Sequence, residues 1–229
     1  MRDYHLEIPK FKVDKSLGQI PEPMPSFSHF MAFIGPPGSG KSSLSTALLT
    51  QTNPAFYYQK FNHVHLIAPP SSRASMEDSP FEGHDKVYDE LTTPILDDII
   101  GQLEKASEAD ETSLVLIDDM AASLKDNAIR KQLEKLAMNR RHLRASVWFI
   151  SQTYRSLPLS TRKLLTSVCF FRAQNMKEVE SMREELLSID KRDFYDVYNT
   201  IFVPGGDHHT FMFLDVTTGE VYNKFDPVN

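Results

Sequence analysis

The chain has 229 residues and a formal charge of −6, and this length suits one α/β domain with a substantial apolar core. Its single cysteine, Cys169, excludes an internal disulfide, and no apolar stretch approaches the roughly eighteen residues that a membrane span requires. The first residues lack the apolar region of a signal peptide, so we expect an intracellular soluble protein with no membrane partner.

The chain begins with a proline-containing segment. Residues 1–28 hold four prolines among mixed charges and show no sustained period. We therefore expect an extended arm that folds over the domain or over a neighbouring subunit. Residues 29–229 are predicted to form a single domain.

The arm is followed by a pattern of strand, phosphate-binding loop and helix. Apolar residues Phe30 to Ile34 lead into Gly35-Pro-Pro-Gly-Ser-Gly-Lys-Ser42, which fits G-x-x-x-x-G-K-[ST]. The glycines let successive backbone N–H groups face a phosphate, and the next helix adds its N-terminal partial positive charge. Lys41 is predicted to contact the β- and γ-phosphates of ATP, and Ser42 to hold Mg²⁺. The predicted ATP-binding residues are Gly35, Pro36, Pro37, Gly38, Ser39, Gly40, Lys41, Ser42 and Ser43.

The next elements are a strand, a polar loop and a helix. Residues 61–68 predict the strand, residues 69–93 the loop, and residues 94–105 have the apolar spacing of a helix. His63 and His65 share one face of the strand, as two metal ligands would. Because no carboxylate or cysteine with ligand spacing accompanies them, we interpret them as ordinary strand residues.

The third strand ends in two carboxylates. The apolar run from Ser113 is followed by Asp118 and Asp119, the Walker B pattern that accompanies a phosphate loop. Since ligands of an open parallel sheet lie beyond the carboxyl ends of its strands, both acids are expected beside the phosphates. Asp118 is predicted to hold Mg²⁺ opposite Ser42. Asp119 is predicted to orient or deprotonate the attacking water, or else to cap the next helix.

A basic helix at 126–138 and a buried strand at 145–150 come next. Gln152 stands just beyond that strand, so its amide is predicted to contact the γ-phosphate or the attacking water and to sense hydrolysis. Between Lys125 and Lys163, ten Lys or Arg and two acids give +8, which leaves −14 for the other residues. This concentration favours a face that tracks a polyanion, although a helix with solvated lysines has the same composition.

The remaining elements complete an α/β pattern. We predict a short helix at 159–165, a fifth strand at 166–172, helical segments at 176–187 and 190–198, and a hairpin of strands 209–214 and 220–225. Asn223-Lys-Phe-Asp226 matches the N-K-x-D guanine-reading motif of GTPases. That motif needs a following helix, for which three residues do not suffice, so GTP specificity is not predicted.

The ordered motifs resemble the genome-packaging ATPases of poxviruses, giant viruses and their virophage relatives, a branch of the FtsK/HerA class of DNA translocases. The R-H-L before the fourth strand and the Q-[ST]-Y-R-x-L-P after it are specific to that branch. The likeness covers roughly residues 29–173. Its motifs are GPPGSGKS at 35–42, LVLIDD at 114–119, NRRHLRASVWFISQTYRSLP at 139–158, and Arg162.

The resemblance implies a RecA-like P-loop NTPase fold of the ASCE class, with the Gln152 strand between the phosphate-loop and Walker B strands. It implies an ATPase that forms a homo-oligomeric ring, hexameric or pentameric, and moves double-stranded DNA into a capsid at its portal vertex. The implied location is the cytoplasm or viral factory of an infected host cell, or the virion. In this class an arginine finger completes the ATP site of the next subunit. Arg141, eleven residues before Gln152, matches that arginine. Further candidates for contacts in trans or to DNA are Arg140, Arg144, Arg155 and Arg162.

One position departs from the class, whose Walker B motif usually ends in Asp-Glu. The shorter Asp119 leaves its assignment as the base open. Two other functions also stay open: a small-molecule phosphotransferase, with Arg140, Arg141 and Arg144 on a lid over its acceptor, and a nucleotide-gated interaction protein without turnover. The paired acids and Gln152 favour an ATPase that splits water.

Overall fold

The computed structural model describes residues 16–74 and 86–228, and the secondary structure of this part lies around one sheet. Its strands are β1 Phe30–Ile34, β2 His63–Ile67, β3 Val87–Tyr88, β4 Ser113–Asp118, β5 Ala145–Ser151, β6 Ser167–Phe171, β7 Phe211–Asp215, β8 Glu220–Asn223 and β9 Asp226–Pro227. Its α-helices are α1 Lys41–Thr50, α2 Pro70–Ala74, α3 Thr93–Glu108, α4 Asn127–Asn139, α5 Leu159–Arg162, α6 Met176–Leu186 and α7 Lys191–Ile201.

The nine strands follow the order β3-β2-β4-β5-β1-β6-β7-β8-β9. Strands β1 to β6 pair in parallel, whereas β7, β8 and β9 join antiparallel to the β6 side. The predicted mostly parallel α/β sheet with a C-terminal hairpin is confirmed. Strand β5 lies between β1 and β4, as the resemblance implied.

Other parts of the chain pack on both faces of the sheet and bury its central strands, which are apolar throughout. All seven residues of β5 are buried, as expected for a parallel strand between two layers. One face packs under α3 and α4 through residues such as Ile99 and Leu133. On the other face, Trp148 packs beside Tyr57, and Leu17 and Met24 from the described part of the predicted arm belong to the same buried cluster.

The predicted loop at 69–93 contains two short elements that the sequence did not indicate. Helix α2 has five residues, and strand β3 has two, which pair with β2 at the sheet edge. Elements this short show no periodicity, so the polar composition around them dominates the pattern. Helix α7 is also longer than the predicted segment, since it extends to Ile201.

Candidate nucleotide site

The predicted catalytic and metal-binding residues of the chain's own site meet at one edge of the sheet. Ile34 of β1 lies beside Ser151 of β5, and Asp118 of β4 lies beside Ile150. The loops that leave these three strands therefore start side by side. They border a cavity of about 270 Å³ whose lining includes Lys41, Ser42, Asp118, Asp119 and Gln152.

The phosphate loop needs glycine at its two ends for different reasons. A Cβ on Gly35 would lie 2.5 Å from the Cβ of Phe171, so the loop approaches β6 too closely for any side chain. Gly40 has φ +96°, which L side chains rarely adopt, and it directly precedes α1. Among the described residues no side chain caps α1, and its first turn carries no acid. The first N–H groups of α1 are thus available to an anion.

Lys41 is held inside this loop. Its Nζ donates a hydrogen bond to the Pro36 carbonyl at 2.8 Å. Burial lowers the pKa of Lys41, and the charges of Asp118 and Asp119 oppose that shift. The ammonium therefore lies between the phosphate loop and the Walker B acids, where phosphate oxygens would meet it.

Ser42 and Asp118 form the predicted metal pair. The Ser42 hydroxyl donates to Asp118 Oδ2 at 3.0 Å. Burial raises the pKa of Asp118, and the hydrogen bond from Ser42 opposes that shift. A hydroxyl and a carboxylate oxygen are hard ligands of the kind Mg²⁺ takes when phosphate oxygens and water complete its shell. In residues 16–74 and 86–228 there is no group of three or more His, Cys, Asp or Glu that would hold a metal on protein ligands alone.

Asp119 occupies an unusual backbone position. Its φ is +54°, it is exposed, and its N–H donates to the Ile150 carbonyl at 3.3 Å. The cap of α4 is instead Asp126, whose carboxylate accepts from the Ala128 N–H at 2.7 Å. The alternative that Asp119 caps this helix is therefore wrong, and its carboxylate stays at the cavity.

Some of the candidate arginines lie at the amino ends of the strands, and the others lie at the carboxyl ends. Arg140, Arg141 and Arg144 lie in the turn before β5, at the edge opposite the cavity. A seven-residue strand spans roughly 20 Å, which separates this turn from Gln152. Arg141 is exposed, whereas Arg144 pairs with Asp110.

Arg155 and Arg162 contact α6 within the chain. Arg155 Nε donates to the Ser181 hydroxyl at 3.0 Å. Arg162 is 9% exposed, lies 3.0 Å from the Glu185 carboxylate and 4.8 Å from the centre of the Tyr154 ring. The guanidinium of Arg162 is thus held in the interior of this chain, and its role as a contact to DNA or to another subunit stays a prediction.

The histidine pair of β2 and the N-K-x-D match, to which we assigned no function, contact other side chains of the same chain. His63 Nε2 lies 2.5 Å from Glu111 Oε2, while His65 is buried in the sheet. Asn223 lies in β8, and Lys224 pairs with Asp207 at 3.3 Å across the end of the hairpin.

One contact of the phosphate loop was missed by sequence reasoning. His209 Nδ1 lies 3.2 Å from the Ser39 carbonyl, and a Cβ on Gly40 would come within 2.9 Å of the same nitrogen. His209 and Ser39 are 170 positions apart, so no local pattern links them.

Within the described ranges, no helix is both long and apolar enough for a membrane span.

The glycine-rich loop, the Walker B pair and the strand-end amide, on a sheet with β5 between β1 and β4, define a P-loop ATPase. The particular family follows from the sequence. Residues 25–202 match the family described as Poxvirus A32 protein, and the chain belongs to that family. The expected likeness to poxvirus packaging ATPases is thereby confirmed.

Solved structures with the same fold come from viruses and bacteria. The DNA-packaging ATPase B204 from Sulfolobus Turreted Icosahedral Virus has 16% identity and a TM-score of 0.62, over 88% of this chain and 98% of that one. The genome packaging NTPase B204 from Sulfolobus turreted icosahedral virus 2, in complex with ATP-gammaS, has 14% identity and a TM-score of 0.57 over the same shares.

The cytoplasmic domain of the Thermomonospora curvata Type VII Secretion ATPase EccC has 14% identity and a TM-score of 0.57, over 95% of this chain and 27% of that one. No curated protein matches the sequence. At these identities the structural similarity shows the fold.

Proposed function

We propose that this chain hydrolyses ATP as part of a homo-oligomeric ring and uses that reaction to move double-stranded DNA into a viral capsid. The observation that carries the proposal is the convergence of Lys41, Asp119, Gln152 and the Ser42–Asp118 pair on one cavity. The poxvirus family supports a viral setting, in the cytoplasm or viral factory of the infected cell or in the virion. The similar B204 proteins are described as packaging enzymes, which supports DNA and a capsid portal as partners.

The chemistry proposed at the cavity is attack of water on the γ-phosphate. A bond forms between the water oxygen and phosphorus, the bond to the β–γ bridging oxygen breaks, and Asp119 takes a proton from the water. Lys41 offsets the charge on the β- and γ-phosphate oxygens, and the Gln152 amide orients the water. Mg²⁺ held by Ser42 and Asp118 would supply further positive charge to the phosphates.

Arg141 is proposed to complete this site from a neighbouring subunit. Within one chain it lies at the far edge of the sheet, roughly 20 Å from the cavity, so it has no route to its own γ-phosphate. The same geometry argues against the phosphotransferase alternative, since a lid built on Arg140, Arg141 and Arg144 would need to cover the acceptor of its own chain.

DNA is proposed to contact the basic residues that remain exposed between positions 125 and 163. Six of the ten basic side chains in this span are exposed, whereas Arg162 is buried. Contacts of this kind neutralise backbone phosphates, so binding should be independent of sequence and weaken steeply with salt. Apart from Arg141, which is assigned to the neighbouring ATP site, the exposed residues are Lys125, Lys131, Lys135, Arg155 and Lys163.

The first test is the release of phosphate from ATP with Mg²⁺, in the presence and absence of duplex DNA. Lys41→Ala and Asp118→Ala should abolish turnover. Arg141→Ala should reduce turnover by about 10³-fold or more, as expected for an arginine finger, while nucleotide binding is retained. Arg192→Ala, an exposed arginine on α7, is the matched control and should hydrolyse ATP normally.

A mixing experiment tests whether Arg141 acts in trans. Neither Lys41→Ala nor Arg141→Ala is active alone, but in a mixed ring an Arg141→Ala subunit keeps its phosphate loop and receives the arginine of a Lys41→Ala neighbour. Random 1:1 mixing makes about one interface in four complete, so about a quarter of wild-type activity should return. Mixtures that stay inactive, while light scattering shows that rings form, would contradict completion in trans. ATP turnover by a protein that remains monomeric under all conditions would contradict the ring itself.

A further inference from the structure

The segment that follows Gln152 is bound to helix α6 by several side chains. Tyr154 is fully buried, and its hydroxyl donates to Glu185 Oε2 at 2.9 Å. Arg162 Nε lies 3.0 Å from the same oxygen, and its guanidinium lies 4.8 Å from the centre of the Tyr154 ring. The Glu185 carboxylate therefore holds both the start and the end of this segment.

A second group of contacts lies beside the first. The Arg155 backbone N–H donates to Glu178 Oε2 at 3.2 Å, and the Arg155 Nε donates to the Ser181 hydroxyl at 3.0 Å. The three partners on α6 stand at positions i, i+3 and i+7, so they share one face of the helix. This face of Glu178, Ser181 and Glu185 binds the chain from two residues after Gln152 onward.

The same helix borders the phosphate loop. A cavity of about 200 Å³ is lined by Gln152, by residues 35–37 of the loop and by Glu178. The approach of Gly35 to Phe171 also brings the loop against β6, the strand that precedes α6. The β6–α6 unit thus lies beside both the phosphate loop and the strand-end amide.

The place of the Gln152 amide depends on the residues that flank it. Gln152 is exposed, so packing does not hold its side chain directly. On one side Ser151 ends the buried strand β5, and on the other side Tyr154 is buried against Glu185. The contacts to α6 therefore fix the backbone on the side of Gln152 that the sheet does not hold.

We propose that Glu178, Ser181 and Glu185 are positioning residues for ATP hydrolysis, which hold Gln152 where its amide meets the γ-phosphate or the attacking water. This inference rests on the proposed function, because it needs that contact of Gln152. The three residues act through Gln152. A chain that loses one of them keeps its phosphate loop, so it should bind ADP as before and hydrolyse ATP more slowly.

The test removes the two α6 contacts to Arg155 and measures phosphate release without DNA. Ser181→Ala and Glu178→Ala should each lower kcat about tenfold, because a small displacement of a catalytic group costs rate steeply, and should leave the Kd of ADP unchanged within about twofold. ADP lacks the γ-phosphate, so its Kd, measured by calorimetry, does not depend on Gln152. Glu184→Ala is the matched control, an exposed α6 carboxylate that should change neither quantity.

A double variant separates positioning from a general effect on the structure. Gln152→Ala should lower kcat about 10²-fold, as expected when a group that contacts the transition state is removed. If Ser181 acts through Gln152, the double variant Gln152→Ala/Ser181→Ala should match Gln152→Ala within about twofold. Independent effects would multiply, so a double variant that is about tenfold slower than Gln152→Ala would overturn the inference.

The remaining outcomes distinguish this inference from the proposed function. Wild-type kcat in both α6 variants, while Gln152→Ala is slow, would overturn the positioning role and leave the ATPase standing. Weaker ADP binding in either variant would show that α6 supports the phosphate loop instead, which also overturns the inference. If the wild-type chain releases no phosphate, the proposed function fails. If Gln152→Ala hydrolyses ATP at the wild-type rate, the role of Gln152 fails, and the positioning role fails with it.

Discussion

The close approach of Gly35 to β6 gives a prediction with a worked magnitude. In Gly35→Ala the new methyl carbon would lie 2.5 Å from the Cβ of Phe171, about 0.9 Å short of the 3.4 Å at which ordinary contact begins. Neither carbon is at the end of a flexible side chain, so the loop or β6 must move by about that amount. Overpacking of this kind costs about 1–3 kcal/mol of stability. A displacement of about 1 Å at a catalytic loop costs on the order of 10²-fold in rate.

The measurements are phosphate release and urea unfolding, and Gly101→Ala is the matched control. Gly101 lies inside α3, and an added Cβ there meets nothing within 4 Å. That variant should gain about 0.5–1 kcal/mol in the free energy of unfolding, because alanine favours a helix, and keep wild-type turnover. Wild-type turnover in Gly35→Ala would refute the argument from close approach. An equal loss of activity in Gly101→Ala would refute its specificity.

Two further predictions concern the packing around β5. Trp148 donates to His29 Nε2 at 2.8 Å and burial lowers the pKa of His29 from 6.5 to about 4, so the unfolded chain binds a proton on acidification before the folded chain does. Protonation of His29 in the unfolded chain should therefore lower the free energy of unfolding by about 2 kcal/mol between pH 7 and pH 5. The His29→Gln variant should lose this pH dependence. Urea titrations at each pH, followed by the fluorescence of the single tryptophan, measure both. Tyr154 donates to Glu185 at 2.9 Å, so Tyr154→Phe should cost about 1–2 kcal/mol in the same assay, and no loss would contradict the role of that bond.

The strands that carry the catalytic residues were predictable because each joins a long apolar run to a polar end. Ser113 to Asp118 reads as a buried strand with a terminal acid, and the structure places that acid beside the phosphate loop. The order of the strands did not follow from periodicity. It came from the resemblance, because pairing between β1 and β5 joins residues more than a hundred positions apart.

Other features could not be predicted from the sequence, because they depend on side chains that come together from distant segments. The cavity of about 620 Å³ on the other side of the phosphate loop takes Gln174 and Thr200 from separate segments, and neither residue belongs to a local pattern that marks a ligand. The surroundings of Arg162 could not be predicted for the same reason: the sequence shows a positive charge but not Glu185 and Tyr154, which contact it. The interior partners of a charged residue are set by tertiary packing alone.

Strand β5 connects the two halves of the proposed mechanism. Gln152 follows its carboxyl end at the ATP cavity, and Arg141 precedes its amino end at the opposite edge of the sheet. All seven residues of the strand are buried, and it pairs with β1 on one side and with β4 on the other, so its two ends are joined by a rigid element of the sheet. In the proposed ring, subunits meet head to tail, so the amino end of one β5 faces the ATP cavity of the next subunit. A shift of β5 on hydrolysis at Gln152 would then move Arg141 within its neighbour's site, and this single strand would couple successive ATP sites around the ring.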